Sequence, residues 1–293
     1  MENLAHALCG WRIAELGWDR RIGPRAIWIG VIAANLPDAD LLVAAWDRTA
    51  YLWWHRGLTH SFFGWPLLAL AGAAATRRVV GQGTWRDHLG LWAAGLLSHA
   101  LLDWPTTWGT MLFLPATDHR FGLDWIFIVD PIFWVLLGVV PRFLREATAR
   151  ARVALLSLAG WILLCGMTRE LAGSHVRGPV EVFPSPLAPL FWTGVTREGE
   201  VLHRWWLTPW GAEEAGTFEV PAGPAVDALK EARNGERYFW MARAPALRGV
   251  EETPAGTVLT LSDLAFTSRF EPGSFRFTTR FTLAADGTVR MER

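Results

Sequence analysis

As far as about residue 168 the chain alternates long apolar runs with short polar connections, and then its character changes. Apolar stretches stand out at about residues 27 to 46, 61 to 76, 89 to 104, 125 to 141 and 153 to 168, and residues 3 to 18 add a weaker sixth. Several fall short of the roughly 20 residues that a bilayer crossing needs. Short or polar-interrupted spans are tolerated where they pack within a bundle and line a cavity. The pattern therefore predicts an α-helical multi-pass membrane bundle of five or six helices over residues 1–172. Over residues 173–293 the runs shorten to β-prone pieces such as "GTFEV", "TVLTL" and "SFRFTTRFTL", broken by Gly and Pro, with one helical patch at "AVDALKEARN". A smaller β-rich domain is expected there, and "AADGT" carries the Asp-Gly signal of a tight hairpin.

Composition strengthens the membrane reading. Of 293 residues 51% are hydrophobic and only 19% charged, and the mean hydropathy is +0.19. Nineteen tryptophans exceed what core packing requires, whereas the ring suits a membrane interface, where its body is buried and its N–H stays wet. Net charge is zero and Lys230 is the one lysine, so no basic patch points to nucleic acid. Cys9 and Cys165 lie in apolar stretches without C-x-x-C spacing and read as buried thiols. The opening segment has no basic n-region or A-x-A site and carries Arg12 and Glu15, unlike a cleaved signal peptide.

Arginines set the expected orientation. They cluster at Arg20, Arg21 and Arg25, at Arg77, Arg78 and Arg86, and at Arg142, Arg145, Arg150 and Arg152, which are alternate connections between the spans. By the positive-inside rule these loops are cytoplasmic, which puts residues 47 to 60, 105 to 124 and the β-rich domain outside.

An ionisable residue within a span costs roughly 2.5–3.5 kcal/mol on insertion scales, so each needs a reason. The polar clusters are Asp38 and Asp40 in "NLPDADLL", His55 and His60 in "HRGLTHS", His99 and Asp103 in "SHALLDW", and Asp124 and Asp130 in "GLDWIFIVDP". His99 and Asp103 are four apart and leave one helix face, ready to share an ion or simply to hydrogen-bond. His55 and His60 flank Gly57, as in a loop entering a helix that Thr59 or Ser61 caps. Asp38 and Asp40 need a helix break, which Pro37 supplies, to face one cavity, and they could equally cap that break. Counting from the arginine loops at roughly 1.5 Å per residue puts these groups in the outer half, with Asp130 near that end and His6 joining if residues 3 to 18 span. Asp87 and His88 fall at the inner end and read as a solvated loop. Converging imidazoles and carboxylates in a dry cavity call for a cation. The metal-ligand candidates are thus His6, Asp38, Asp40, His55, His60, His99, Asp103 and Asp130. Such mixed donors suit zinc first, with manganese or iron as alternatives, as one or two ions.

These motifs, in this order, resemble the YbcI/YdjM-like family of bacterial inner-membrane proteins, described as metal-dependent hydrolases. The matching elements are His6 in "LAHAL", "LPDAD", "HRGLTHS", and "SHALLDWPTTWGTMLFLP" continuing into "DHRFGLDWIFIVDP", over about residues 1 to 135. "HRGLTHS" followed by "SHALLD" is the specific part. The resemblance implies a multi-pass inner-membrane protein with a hydrolase-type metal site and carries over Asp38, Asp40, His55, His60, His99 and Asp103. It says nothing of the β-rich domain.

The expected function is a membrane-bound metal-dependent hydrolase with its site outside, acting on an ester or phosphoester of a lipid or lipid-linked substrate. His55 or His60 could instead serve as acid/base. Membrane lipids are the expected partners. The alternatives are a non-catalytic metal-binding or transport protein, which needs polar groups along a whole path, and a scaffold presenting the β domain. H-E-x-x-H, G-x-S-x-G and P-S-G-H signatures are absent.

Overall fold

The computed structural model describes residues 2–45, 51, 53–270, 278–284 and 286–292, and these divide into two compact units, the first of residues 2–45 and 54–166, the second of the described residues from 167 on together with 51 and 53. In the first unit, α1 (Asn3–Ala14) is capped by Glu2, whose carboxylate accepts from the Leu4 and Ala5 amides. A short α2 (Trp18–Ile22) leads to α3 (Ala26–Asn35). The apolar stretch from residue 27 does not continue as one α-helix. Pro37 cannot donate to an α-helical ladder, and the chain tightens into a 3₁₀ segment over Leu36–Ala45. A one-turn 3₁₀ segment, Leu58–His60, precedes α4 (Gly64–Val80). α4 stops at Gly81, whose φ of 70° suits a left-handed cap. Next comes α5 (Trp85–Asp103), opened by a capping box in which Thr84 and Asp87 bond each other's backbone. The next apolar run starts as α6 (Pro131–Trp134), loosens into a π turn (Val135–Val139) and ends in a 3₁₀ turn (Val140–Phe143). α7 (Ala147–Gly173) follows.

Small residues set the spacing of these helices. A Cβ on Gly10 of α1 would stand 2.3 Å from the Gly30 carbonyl oxygen of α3, and one on Gly95 of α5 would stand 2.7 Å from the Ala33 Cβ. The three helices thus approach backbone to backbone, the packing used where lipid offers no hydrophobic drive. Their buried sides carry Ala5, Cys9, Ile13, Ile29, Leu91 and Leu96, while Leu4, Trp28, Ile32, Leu97 and Leu101 are exposed. Cys9 and Cys165 are buried and form no disulfide, as expected.

Among the described residues one helix, the 27-residue α7, is long and apolar enough by itself to cross a membrane. Elsewhere the expected spans are shorter or interrupted: α3 ends after Asn35, and α5 begins with Arg86, Asp87 and His88.

The second unit holds one eight-stranded antiparallel meander in chain order: β1 (Glu181–Pro184), β2 (Trp192–Glu198), β3 (Val201–Thr208), β4 (Gly211–Glu219), β5 (Pro245–Thr253), β6 (Gly256–Asp263), β7 (Thr278–Leu283) and β8 (Val289–Glu292). The predicted hairpin joins β7 and β8, with Gly287 at a φ of 81°. Between β4 and β5 the chain forms α8 (Pro224–Glu231) and α9 (Arg233–Met241). Their Val226, Leu229 and Tyr238 pack with Leu259, Leu261 and Phe281 of the sheet. One register pair, Glu219 with Leu247, joins β4 to β5. The buried Asp263 carboxylate accepts from the amides of Arg243, Ala244 and Ala265, which fixes the entry to β5.

Candidate metal centre

Four elements of the first unit converge on one buried point. The 3₁₀ segment after α3 brings Asp38 and Asp40, the turn and 3₁₀ segment before α4 bring His55 and His60, the last turn of α5 brings His99 and Asp103, and α1 brings His6. The two expected aids to the loop separate: the Ser61 hydroxyl accepts from Gly64 at the start of α4, while Thr59 turns to Asp40.

The central contact is between two imidazoles, with His60 Nε2 and His99 Nε2 2.9 Å apart. Each ring spends its other nitrogen outward. His99 Nδ1 donates to the Ala34 carbonyl at 2.7 Å. His60 Nδ1 lies 2.9 Å from the Thr59 hydroxyl, which itself donates to Asp40 Oδ2 at 2.9 Å, so proton direction is consistent along the relay. With those nitrogens engaged, the two Nε2 atoms face each other at hydrogen-bond distance, so the gap holds either one shared proton or a metal that takes both lone pairs. Two carboxylates frame the gap. Asp38 Oδ1 is 3.4 Å from His60 Nε2 and 3.6 Å from His99 Nε2; Asp103 Oδ2 is 3.5 Å and 3.3 Å from the same atoms. These separations are long for hydrogen bonds. They match ligands at 2.0–2.1 Å around a tetrahedral ion, whose donor atoms stand about 3.3–3.4 Å apart. Asp38, His60, His99 and Asp103, all buried, therefore form a set that could hold a metal. The outward bonds of the histidines are the supports that fix ring orientation in metal sites.

Asp40 and His55 take a supporting place. His55 Nδ1 donates to Asp40 Oδ1 at 2.8 Å, and Asp40 Oδ2 also accepts from the Arg56 amide at 3.1 Å. Burial holds the His55 imidazole below its ordinary pKa, against the pull of Asp40, so the ring donates to Asp40 as a neutral group. For His60, burial opposes a charge, but Asp103, Asp38 and Asp40 together raise the group to about 10. Without a metal, a proton fills the same gap. Asp38, Asp40 and His55 also bring one donor atom each within 4.8 Å of one another, but Asp40 is already spent on three donors.

His6 is fully buried and stacks on His99 with ring centroids 3.8 Å apart. Its Nε2 is 3.5 Å from Asp103 Oδ1. Asp130 stands in neither metal-holding group. It caps α6, with Oδ1 accepting from the Ile132 amide at 2.9 Å and Oδ2 from the Trp161 indole at 2.8 Å. An Asp-Pro pair opening a helix spends its carboxylate on its own backbone. The reading of Asp87 and His88 as a solvated loop is also corrected. Asp87 belongs to the capping box, and His88 is fully buried, bonded to the Thr76 hydroxyl and the Gln82 carbonyl at 2.9 Å each.

Arg56 is the residue that the sequence reading passed over. Its guanidinium is buried, pairs with Asp103 Oδ1 at 3.0 Å and donates to the Thr106 hydroxyl at 2.7 Å. Its backbone adopts a φ of 61°, a conformation that costs a non-glycine residue about 1–2 kcal/mol. The signal was available: a charge inside "HRGLTHS", between two candidate ligands, needs a carboxylate partner.

The helical unit also carries the likeness to known proteins. Inner membrane protein YbcI of Escherichia coli (strain K12) is 34% identical to this chain over 151 residues, which is 50% of this chain and 81% of that protein. No solved structure matches. The YdjM inner membrane protein family matches residues 1–172, the stretch that holds every residue of the cluster. This chain belongs to the YdjM inner membrane protein family.

Proposed function

We propose that the protein is a multi-pass, membrane-bound metal-dependent hydrolase. Its site lies at the outer end of the helical unit, and its substrate is an ester or phosphoester of a lipid or lipid-linked molecule. The observation that carries this reading is the convergence of four buried groups, Asp38, His60, His99 and Asp103, with a carboxylate oxygen of each aspartate 3.3–3.6 Å from both Nε2 atoms. Asp38, His60, His99 and Asp103 hold the ion, and zinc suits the two-nitrogen, two-oxygen donor set. With four protein donors, a divalent ion there would supply hydrolytic chemistry only by taking a water or substrate oxygen in a fifth position, where it would lower the pKa of the water towards neutral and polarise the scissile group. The protein's own groups then have separate duties. Ala34, Thr59 and Asp40 keep the histidines aimed, and Arg56 pairs with Asp103. His60 is a ligand in this reading, and His55 supports Asp40.

Location supports a membrane substrate. The cluster lies at the end of α5, whose Leu97 and Leu101, with Trp104 just beyond, are exposed, and the positive-inside rule applied to the arginine-rich connections favours the cytoplasm for the opposite end. The second reading, a metal-binding or transport protein, is disfavoured because the acidic and imidazole groups gather at one point instead of lining a path. Elemental analysis of detergent-purified protein tests the proposal. At least one equivalent of transition metal is expected, reduced in both His99→Ala and Asp103→Ala; a metal-free protein, or unchanged content in both variants, overturns it.

A further inference from the structure

His6 is fully buried, yet neither of its ring nitrogens has a hydrogen-bond partner. Leaving a buried polar atom unmet costs roughly 1–3 kcal/mol, so the ring is built for something it meets in the working protein. Its Nε2 stands 3.5 Å from Asp103 Oδ1, too far for a hydrogen bond and close to the donor spacing within the first set. The two oxygens of Asp103 are thereby divided. Oδ2 faces His60 and His99, while Oδ1 faces His6 and Arg56.

We propose that Asp103 bridges two divalent cations, the second bound by Asp103 Oδ1 and His6 Nε2, and that the completed centre binds a phosphoester rather than a carboxylic ester. This rests on the metal-hydrolase reading above and extends it. Two protein donors leave the second ion positions open for water and substrate oxygens, as a reacting ion requires. The charges agree with an anionic ligand. Asp38, Asp40 and Asp103 bring three negative charges against the one positive charge of Arg56, so a single divalent ion neutralises the cluster. A second makes it cationic, and a phosphoester anion restores the balance where a neutral ester would not. Paired ions that clamp a phosphoryl group are an established device of phosphoester chemistry. The Asp38, Asp40 and His55 group is a weaker place for the second ion, because Asp40 is already fully engaged.

The test uses full-length protein in detergent, stripped and reloaded with Zn²⁺, and compares wild type with His6→Phe, which keeps a ring to stack on His99 but removes the donor nitrogen. Two zinc ions per wild-type chain and one in His6→Phe are expected, with inorganic phosphate binding measurably to the two-ion form and at least tenfold more weakly to the variant. One ion in both proteins overturns the second ion and leaves the first site standing, whereas none in wild type overturns both readings. Two ions in both proteins, or none in the variant alone, overturns the role given to His6. Equal phosphate binding by both proteins overturns the substrate class. Should His6→Phe fail to fold, Mn²⁺-loaded wild type decides by electron paramagnetic resonance: a spin-coupled pair is expected, and the six-line spectrum of isolated ions overturns the bridge.

Discussion

Replacing Asp40 with asparagine separates support from ligation. The carboxylate accepts three hydrogen bonds, from His55 Nδ1 at 2.8 Å, the Thr59 hydroxyl at 2.9 Å and the Arg56 amide at 3.1 Å. An asparagine keeps one acceptor oxygen. If its amide nitrogen takes the Oδ1 position it meets the His55 donor, and if it takes the Oδ2 position it meets two donors. Either way at least one hydrogen bond to a charged group is lost, worth about 1.5–3 kcal/mol. The loss falls on the relay that aims His60, and removing such an outer support typically weakens metal binding 10- to 100-fold, or about 1.4–2.7 kcal/mol. The two routes agree in size. Zinc affinity measured by competition with a chromophoric chelator should therefore fall by that factor in Asp40→Asn, with helix content unchanged by circular dichroism. An affinity within twofold of wild type would refute the relay. Complete loss of binding in a folded protein would make Asp40 a ligand.

Zinc binding should displace the proton of His60, whose pKa Asp103, Asp38 and Asp40 raise to about 10 against the cost of burial. The folded metal-free site holds that proton below this value, so zinc affinity should rise about tenfold per pH unit through neutrality, and calorimetry in buffers of different ionisation enthalpy should count close to one proton released. No pH dependence between 6 and 8 would remove the proton from the gap. Gly95→Val should lower the thermal midpoint and metal content together, because its Cβ would stand 2.7 Å from the Ala33 Cβ and 3.2 Å from the Ala33 backbone, beside the Ala34 carbonyl that holds His99; overpacking of this kind costs about 1–3 kcal/mol. Wild-type behaviour in both measurements would contradict the close approach. A reporter active only in the cytoplasm, fused after Arg293, should be silent, and full activity would reverse the orientation drawn from the arginine loops.

The sequence reading reached furthest where one physical rule acts locally. Spacing of four on a helix is enough to pair His99 with Asp103, and the shift from long apolar runs to short β-prone ones is visible as composition. It also foresaw the helix break that lets Asp38 and Asp40 turn inward, because proline enforces it. Depth counting was blunter. It drew in Asp130, whose carboxylate is committed to a cap and to Trp161, because equal depth does not mean a shared direction. His88 was lost for the converse reason: a polar residue one turn inside a helix looks solvated until the partner across the bundle, here Thr76, is known. Arg56 was hidden among better-known ligands. The division of labour between Asp38, a ligand candidate, and Asp40, a support, depends on carboxylate orientation that two positions in a row of letters do not encode.

The glycine contacts between α1, α3 and α5 bear on how the site answers to its surroundings. His6, the Ala34 carbonyl, His99 and Asp103 all ride on helices that meet backbone to backbone at Gly10 and Gly30 and at Gly95 and Ala33. A bilayer that thins or thickens tilts helices at modest cost, but here such a tilt would carry the three as one rigid body. The donor atoms on these helices would keep their distances while the exposed Leu4, Leu97 and Leu101 exchange neighbours. Metal affinity should then be the same in bilayers of short- and long-chain lipids, and adaptation to a new membrane can proceed on the outer faces without retuning the centre.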